Sequence, residues 1–121
     1  MAAAHRVLLS LFSLGVVVQF FLAGLGVFRH SGDSWGPHRT LGNVLLVVAL
    51  LVLVAALAGR LGRGHVLLGL VLAALVLLQS VLANDGPAWV RAFHPVVALV
   101  IAALAGSFTG RLWRQHRAGL S

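Results

Sequence analysis

Residues 36–45 read GPHRTLGNVL and residues 92–100 read AFHPVVALV. Each stretch places a histidine at the head of a long apolar run. A neutral imidazole is a ligand for iron, copper or zinc, and otherwise a hydrogen-bonding or proton-exchanging group. Pro37 and Pro95 flank these histidines. Pro37 suits the first position of a helix, where no donor is lost. Pro95 either marks a helix start beside His94 or kinks a helix that begins at Pro87. The spacing leaves both open.

The elements that carry these side chains follow from composition. The chain has 121 residues, 60% of them hydrophobic and 9% charged. Soluble domains carry about 25% charged residues, and a domain this small has too little interior to hide so much Leu, Val and Ala. The composition therefore points to an integral membrane protein. The net charge of +7 comes from nine arginines against Asp33 and Asp85. Those arginines are scattered between apolar runs, which fits headgroup anchoring and not a nucleic-acid surface. The absence of Lys beside so much Ala, Gly and Arg suggests a bacterial genome rich in GC. With no cysteine, disulfides, thiolate clusters, thioether-linked haem and cysteine nucleophiles are excluded.

A bilayer core of about 30 Å needs roughly 20 apolar residues as helix. Residues 7–28, 40–59, 65–83 and 93–110 meet this within one domain, 1–121. The first is expected to stay as a helix and not to be cleaved as a signal peptide, because its apolar run exceeds the usual h-region. Short connections predict an all-α, four-transmembrane-helix, up-down-up-down bundle. Arg6, Arg60, Arg63, Arg111, Arg114 and Arg117 then fall at one end, with Arg29, Arg39 and Arg91 at the other. That bias predicts a bacterial cytoplasmic-membrane protein with both termini cytoplasmic. Trp35 and Trp89 belong at the outer interface and Trp113 at the inner one.

The halves echo each other. Gln19, Leu22, Ala23, Gly36, Pro37 and His38 match Gln79, Leu82, Ala83, Gly86, Pro87 and His94, with a shift in spacing after Gly-Pro. This suggests two tandem two-helix repeats, although Leu-rich helices also resemble one another by chance. His38 and His94 then lie at similar depth on diagonal helices. With neighbouring axes about 8–10 Å apart, a square bundle has a diagonal of roughly 11–14 Å. Two imidazoles reaching across it leave room for a flat macrocycle on edge. Haem b needs only axial nitrogens and an apolar slot.

Below each histidine runs an expected inward stripe: Gly42, Leu45, Ala49, Val52, Ala56 and Gly59, and Ala98, Ala102, Ala105 and Thr109. Gly42 and Ala98, one turn below the histidines, would let a porphyrin edge approach. Small residues also serve plain helix packing, and a single interfacial histidine more often bonds a headgroup or loop carbonyl. A bare zinc or copper site here has only His30, Asp33 and Asp85 as further ligands, all in loops. Gln19 and Gln79 are polar groups within spans one and three. They bond across the bundle, or meet a haem propionate or quinone headgroup. His5 and His65 form a second diagonal pair at the inner end, where a second haem would complete a path across the membrane. His116 and His30 read as solvated residues. No span holds a carboxylate, which argues against acid-dependent coupled transport and intramembrane proteolysis.

Together VQFFLAGLGVF, HRTLGNVL, LLQSVLA and FHPVVALVI resemble a family of small four-helix bacterial membrane proteins known as a domain of unknown function. Its pattern is met at Gln19, His38, Arg39, Gly42, Gln79, His94 and Pro95. The resemblance covers nearly the whole chain and implies the topology and the histidine pair, with no reaction attached. More loosely, the pair is similar to those of membrane-bound b-type cytochromes, which usually hold two haems.

The expectation is one b-type haem on His38 and His94, serving electron transfer or redox sensing with a quinone or a redox protein. No stand-alone enzymatic activity is expected, and the oligomeric state is open. The alternatives are a cofactor-free scaffold or accessory subunit of a larger complex, and a small-molecule carrier lined by Gln19 and Gln79.

Overall fold

The computed structural model describes residues 1–29 and 32–120. Four long helices dominate: α1 (Ala2–Phe28), α2 (Gly36–Ala58), α3 (Arg63–Asn84) and α5 (Phe93–Arg117), with the one-turn α4 (Ala88–Arg91) before the last. All four are long and apolar enough to cross a membrane. The helices outrun the apolar stretches at several ends, by several residues in α1 and α5. Hydropathy marks the part in hydrocarbon, whereas backbone hydrogen bonding carries the helix on through polar flanks.

Local chemistry explains the ends. Pro37 stands in the first turn of α2, and Asp33 accepts two hydrogen bonds from Arg39 at 2.7 and 2.8 Å across the preceding turn. The α2–α3 connection turns through Arg60 (φ 49°) and Gly62 (φ 98°), a left-handed conformation that suits Gly62 best. Both readings of Pro95 hold in part. Helix begins after Pro87, breaks at Ala92, and resumes as α5 with Pro95 in its first turn.

The helices form a ring in which α1 packs on α2 and α5, and α3 packs on the same two. Among the described residues, α1 and α3, and likewise α2 and α5, never bring Cα atoms within 8 Å. These are the diagonals. Cross-helix bonds fix the directions. Gln19, late in α1, meets His38, early in α2. Ser13, in the first half of α1, meets Thr109, late in α5, at 2.9 Å. Neighbours therefore run antiparallel, as an up-down-up-down path requires.

The core is a column of Leu9, Phe12 and Val16, Leu45, Ala49 and Val52, Leu68, Leu72 and Val76, and Ile101 and Ala105. The α2 stripe is buried as expected, through Leu45, Ala49, Val52 and Ala56. On α5 the line shifts: Ile101 and Ala105 are buried, while Ala98 and Ala102 are half-buried. The three-residue step from Ala98 to Ile101 points more squarely at the bundle axis than the four-residue step to Ala102. Equivalent positions of the two halves carry this core, with Phe12 and Val16 standing where Leu72 and Val76 stand. That is what a tandem duplication predicts.

Outward, Leu14, Val17, Phe21, Leu67 and Leu99 are each more than 60% exposed. In water such a surface would drive aggregation; against lipid it is the required solvent match. Since lipid tails are as apolar as Leu, close contact must hold the helices together. Gly69 supplies the tightest case. A Cβ there would lie 2.7 Å from the Leu53 Cα and 2.9 Å from its Cβ.

Gly69→Ala is expected to lower stability by about 1–3 kcal/mol, because the obstruction is partly backbone. Gly24→Ala, with nothing within 4 Å of the added carbon, gains up to about 1 kcal/mol from helix propensity. Thermal unfolding in detergent, followed by circular dichroism, reads both. Equal melting temperatures would refute the close approach of α2 and α3.

Candidate functional site

At the end of the bundle opposite the chain termini, the packed column opens into a cavity of about 380 Å³. His38 enters it from α2 and His94 from α5, one diagonal. Their ring centroids are 6.1 Å apart with an interplanar angle of 62°. These two side chains therefore bridge a gap that their backbones do not.

Each ring is tethered in the same way. His38 Nδ1 lies 3.2 Å from the main-chain oxygen of Gln19. His94 Nδ1 lies 3.1 Å from that of Gln79. A carbonyl inside a helix already accepts one bond from the residue four ahead, but it has a second lone pair to offer. Each imidazole takes it, so Nδ1 carries the proton and Nε2 keeps a bare lone pair. This is how protein ligands for metals are commonly oriented: one nitrogen donates to an oxygen acceptor and the other is left free. The Trp35 ring packs edge-on to His38 at 5.7 Å. Gly26 makes room for it, since a Cβ there would lie 2.7 Å from the indole.

Gly42 and Ala98, one turn below the two histidines, both line the cavity. Gln19 and Gln79 line it too, and the Oε1 atom of each is buried without a hydrogen-bond partner. Amide oxygen and nitrogen are interchangeable by a half-turn of the side chain. Each glutamine therefore presents either an acceptor or a donor to whatever fills the space. The expected side-chain bonds across the bundle are not made by the Oε1 atoms; the main-chain oxygens of Gln19 and Gln79 bond across to His38 and His94 instead. Arg39, Asn43, Ser80 and Asn84 add a polar margin, which periodicity did not single out because these residues lie at helix ends. The remaining walls are apolar, among them Val16, Leu45 and Ile101. A mostly apolar cleft with a few convergent polar atoms has the character that small-molecule sites share.

Among the described residues, neither Asp33 nor Asp85 joins the pair as an extra ligand for a bare metal ion. Asp33 is held by Arg39, His30 lies outside the described residues, and among those residues no group of three His, Cys, Asp or Glu is assembled. His5 and His65, by contrast, do meet at the opposite end, with ring centroids 5.0 Å apart. His116 stacks edge-on against Trp113 at 5.9 Å.

Fold and site define a membrane-embedded four-helix protein with an imidazole pair at each end. The chain belongs to a family of unknown function, DUF6220, whose sequence pattern matches residues 19–86. The matched region contains Gln19, His38, Gly42, His65 and Gln79 and ends before His94. No curated protein and no solved structure matches the chain.

In this cysteine-free chain the site geometry is open to cross-linking. Ser13→Cys with Thr109→Cys should close to a disulfide on mild oxidation, because the two oxygens are 2.9 Å apart. His38→Cys with His94→Cys should not, since disulfides need Cα atoms within about 7 Å; a short bifunctional thiol reagent should bridge them. Direct oxidation of the second pair would contradict the diagonal placement, as read by gel mobility after proteolysis.

Proposed function

We propose that His38 and His94 are the axial ligands of one b-type haem and that the protein takes part in electron transfer or redox sensing. The observation that carries this reading is the pair's spacing with both Nδ1 atoms tied back. Metal–imidazole bonds of about 2 Å put two trans nitrogens about 4 Å apart and their ring centres about 6 Å apart. The centroid separation is 6.1 Å, and the free nitrogen on each ring is the one not bonded to glutamine.

The surroundings agree with such a group. Gly42 and Ala98 keep the space beside each ligand clear. The N-termini of α2 and α5 lie at this end and, with Arg39, favour carboxylates. Gln19 and Gln79 can present amide NH₂ groups to the same propionates. When bound, the haem supplies one-electron chemistry. The chain's own part is to hold the iron between neutral nitrogens in an apolar slot, which tunes its potential.

The electron partner is a quinone in the lipid or a redox protein at the membrane surface. The arginine bias supports an orientation with the termini in a bacterial cytoplasm and the His38–His94 end outside. A second reading uses the same cavity without iron: the two hydroxyls of a quinol would donate hydrogen bonds to the orphan oxygens of Gln19 and Gln79.

Protein purified from haem-sufficient cells should show the sharp visible bands of a low-spin, bis-imidazole haem on reduction. His38→Ala and His94→Ala should each abolish that spectrum, whereas His65→Ala should leave it. A folded, colourless preparation would overturn the haem reading. Saturable binding of a quinol analogue that fails in Gln19→Leu/Gln79→Leu would then favour the second. Colourless copurification with a larger assembly would favour an accessory subunit.

A further inference from the structure

The terminal end of the bundle holds the other imidazole pair. His5 comes from the first turn of α1 and His65 from the first turn of α3, the second diagonal. The ring centroids are 5.0 Å apart and the planes cross at 84°. His5 is only 1% exposed, the one buried polar residue among those described. His5 Nε2 and His65 Nδ1 are both buried and both lack a hydrogen-bond partner. An orphaned polar atom costs about 1–3 kcal/mol, and here two belong to rings that are in edge contact.

The pair is not an accident of a loose terminus. His5 stands as far before Gln19 as His65 does before Gln79, so the two hold matching places in the two halves of the chain. The start of α1 is fixed to α5 by Ser13 on Thr109 and by Trp113 Nε1 donating to Ser10 at 2.9 Å.

We propose that His5 Nε2 and His65 Nδ1 bind a single Cu(I) ion. With metal–nitrogen bonds of about 2 Å, a bent, roughly tetrahedral angle brings two imidazole centres about 5 Å apart, against about 6 Å for the trans arrangement. The terminal pair, at 5.0 Å, has the bent spacing, and the pair at 6.1 Å has the linear one. A d¹⁰ ion carries no ligand-field preference for one angle, and a further donor would bend the two imidazoles away from the linear arrangement of two-coordinate Cu(I). Imidazole is a suitable donor for copper. No third His, Asp or Glu joins this pair among the described residues, which leaves the remaining positions to water or a small exogenous donor. Charge selects the monovalent ion. The site is buried, lies at two positive helix ends, and follows directly on to Arg6. The cost of desolvating an ion climbs steeply with its charge, so Cu(I) suits it better than Zn(II).

The test uses the full chain, free of any affinity tag and of haem, titrated anaerobically with Cu(I) against a chromophoric chelator and separately with Zn(II). One equivalent of Cu(I) is expected, retained by His38→Ala and His94→Ala. In His5→Gln and His65→Gln the affinity should fall by more than the roughly 10–100-fold typical of losing an outer-shell group, with helical content unchanged by circular dichroism. X-ray absorption of the wild-type complex should report two imidazole nitrogens on copper, whether or not the variants fold. Absence of stoichiometric Cu(I), stoichiometric Zn(II) alone, wild-type affinity in the folded glutamine variants, or a copper shell without two imidazoles would each overturn the assignment. Because haem is absent throughout, failure here is distinct from failure of the haem reading.

Discussion

The second lone pair of a helical carbonyl is the small resource on which the site depends. Gln19 and Gln79 spend one lone pair on their own helices and offer the other to an imidazole on the neighbouring helix. That bond fixes which nitrogen carries the proton, turns each ring inward, and ties α1 to α2 and α3 to α5. Without it, a histidine at the lipid interface would be free to face headgroups. With it, two bare nitrogens are aimed into a cavity that their backbones are too far apart to close.

The rest of the bundle serves that separation. In lipid no hydrophobic gain draws helices together, so contact distance is set by side-chain size. Gly69 lets α3 approach the backbone of α2 at Leu53, and Gly15 faces Leu45 closely enough that a Cβ would lie 2.6 Å from its methyl group. The Gly69 contact lies below the cavity, whereas Leu45 also lines it. At the cavity end Trp35 packs on Gly26, and the two imidazoles span the diagonal between α2 and α5.

Much of this was legible in the residues. Four spans, short turns and the diagonal relation of His38 to His94 follow from hydropathy and length alone, because membrane helices obey few constraints and obey them strictly. Gly42 and Ala98 follow from the helical period. What periodicity could not give was the fate of Gln19 and Gln79: a polar side chain in a span predicts a partner for the side chain, whereas here the main-chain oxygen bonds and the amide is left over. The exchange of Ala102 for Ile101 in the buried line of α5 reflects the three-residue step from Ala98, which faces the bundle axis more squarely than the four-residue one. His5 and His65 were legible as a second diagonal pair; what the residues could not show is that α5 clamps the start of α1 and that His5 is buried there.

Between the two ends lies a column of Leu, Val, Phe, Ile and Ala with no ionisable group. Water finds no foothold in such a plug, and a hydrated proton cannot hop where there is nothing to hop along. That column offers a proton no relay of ionisable side chains from one imidazole pair to the other.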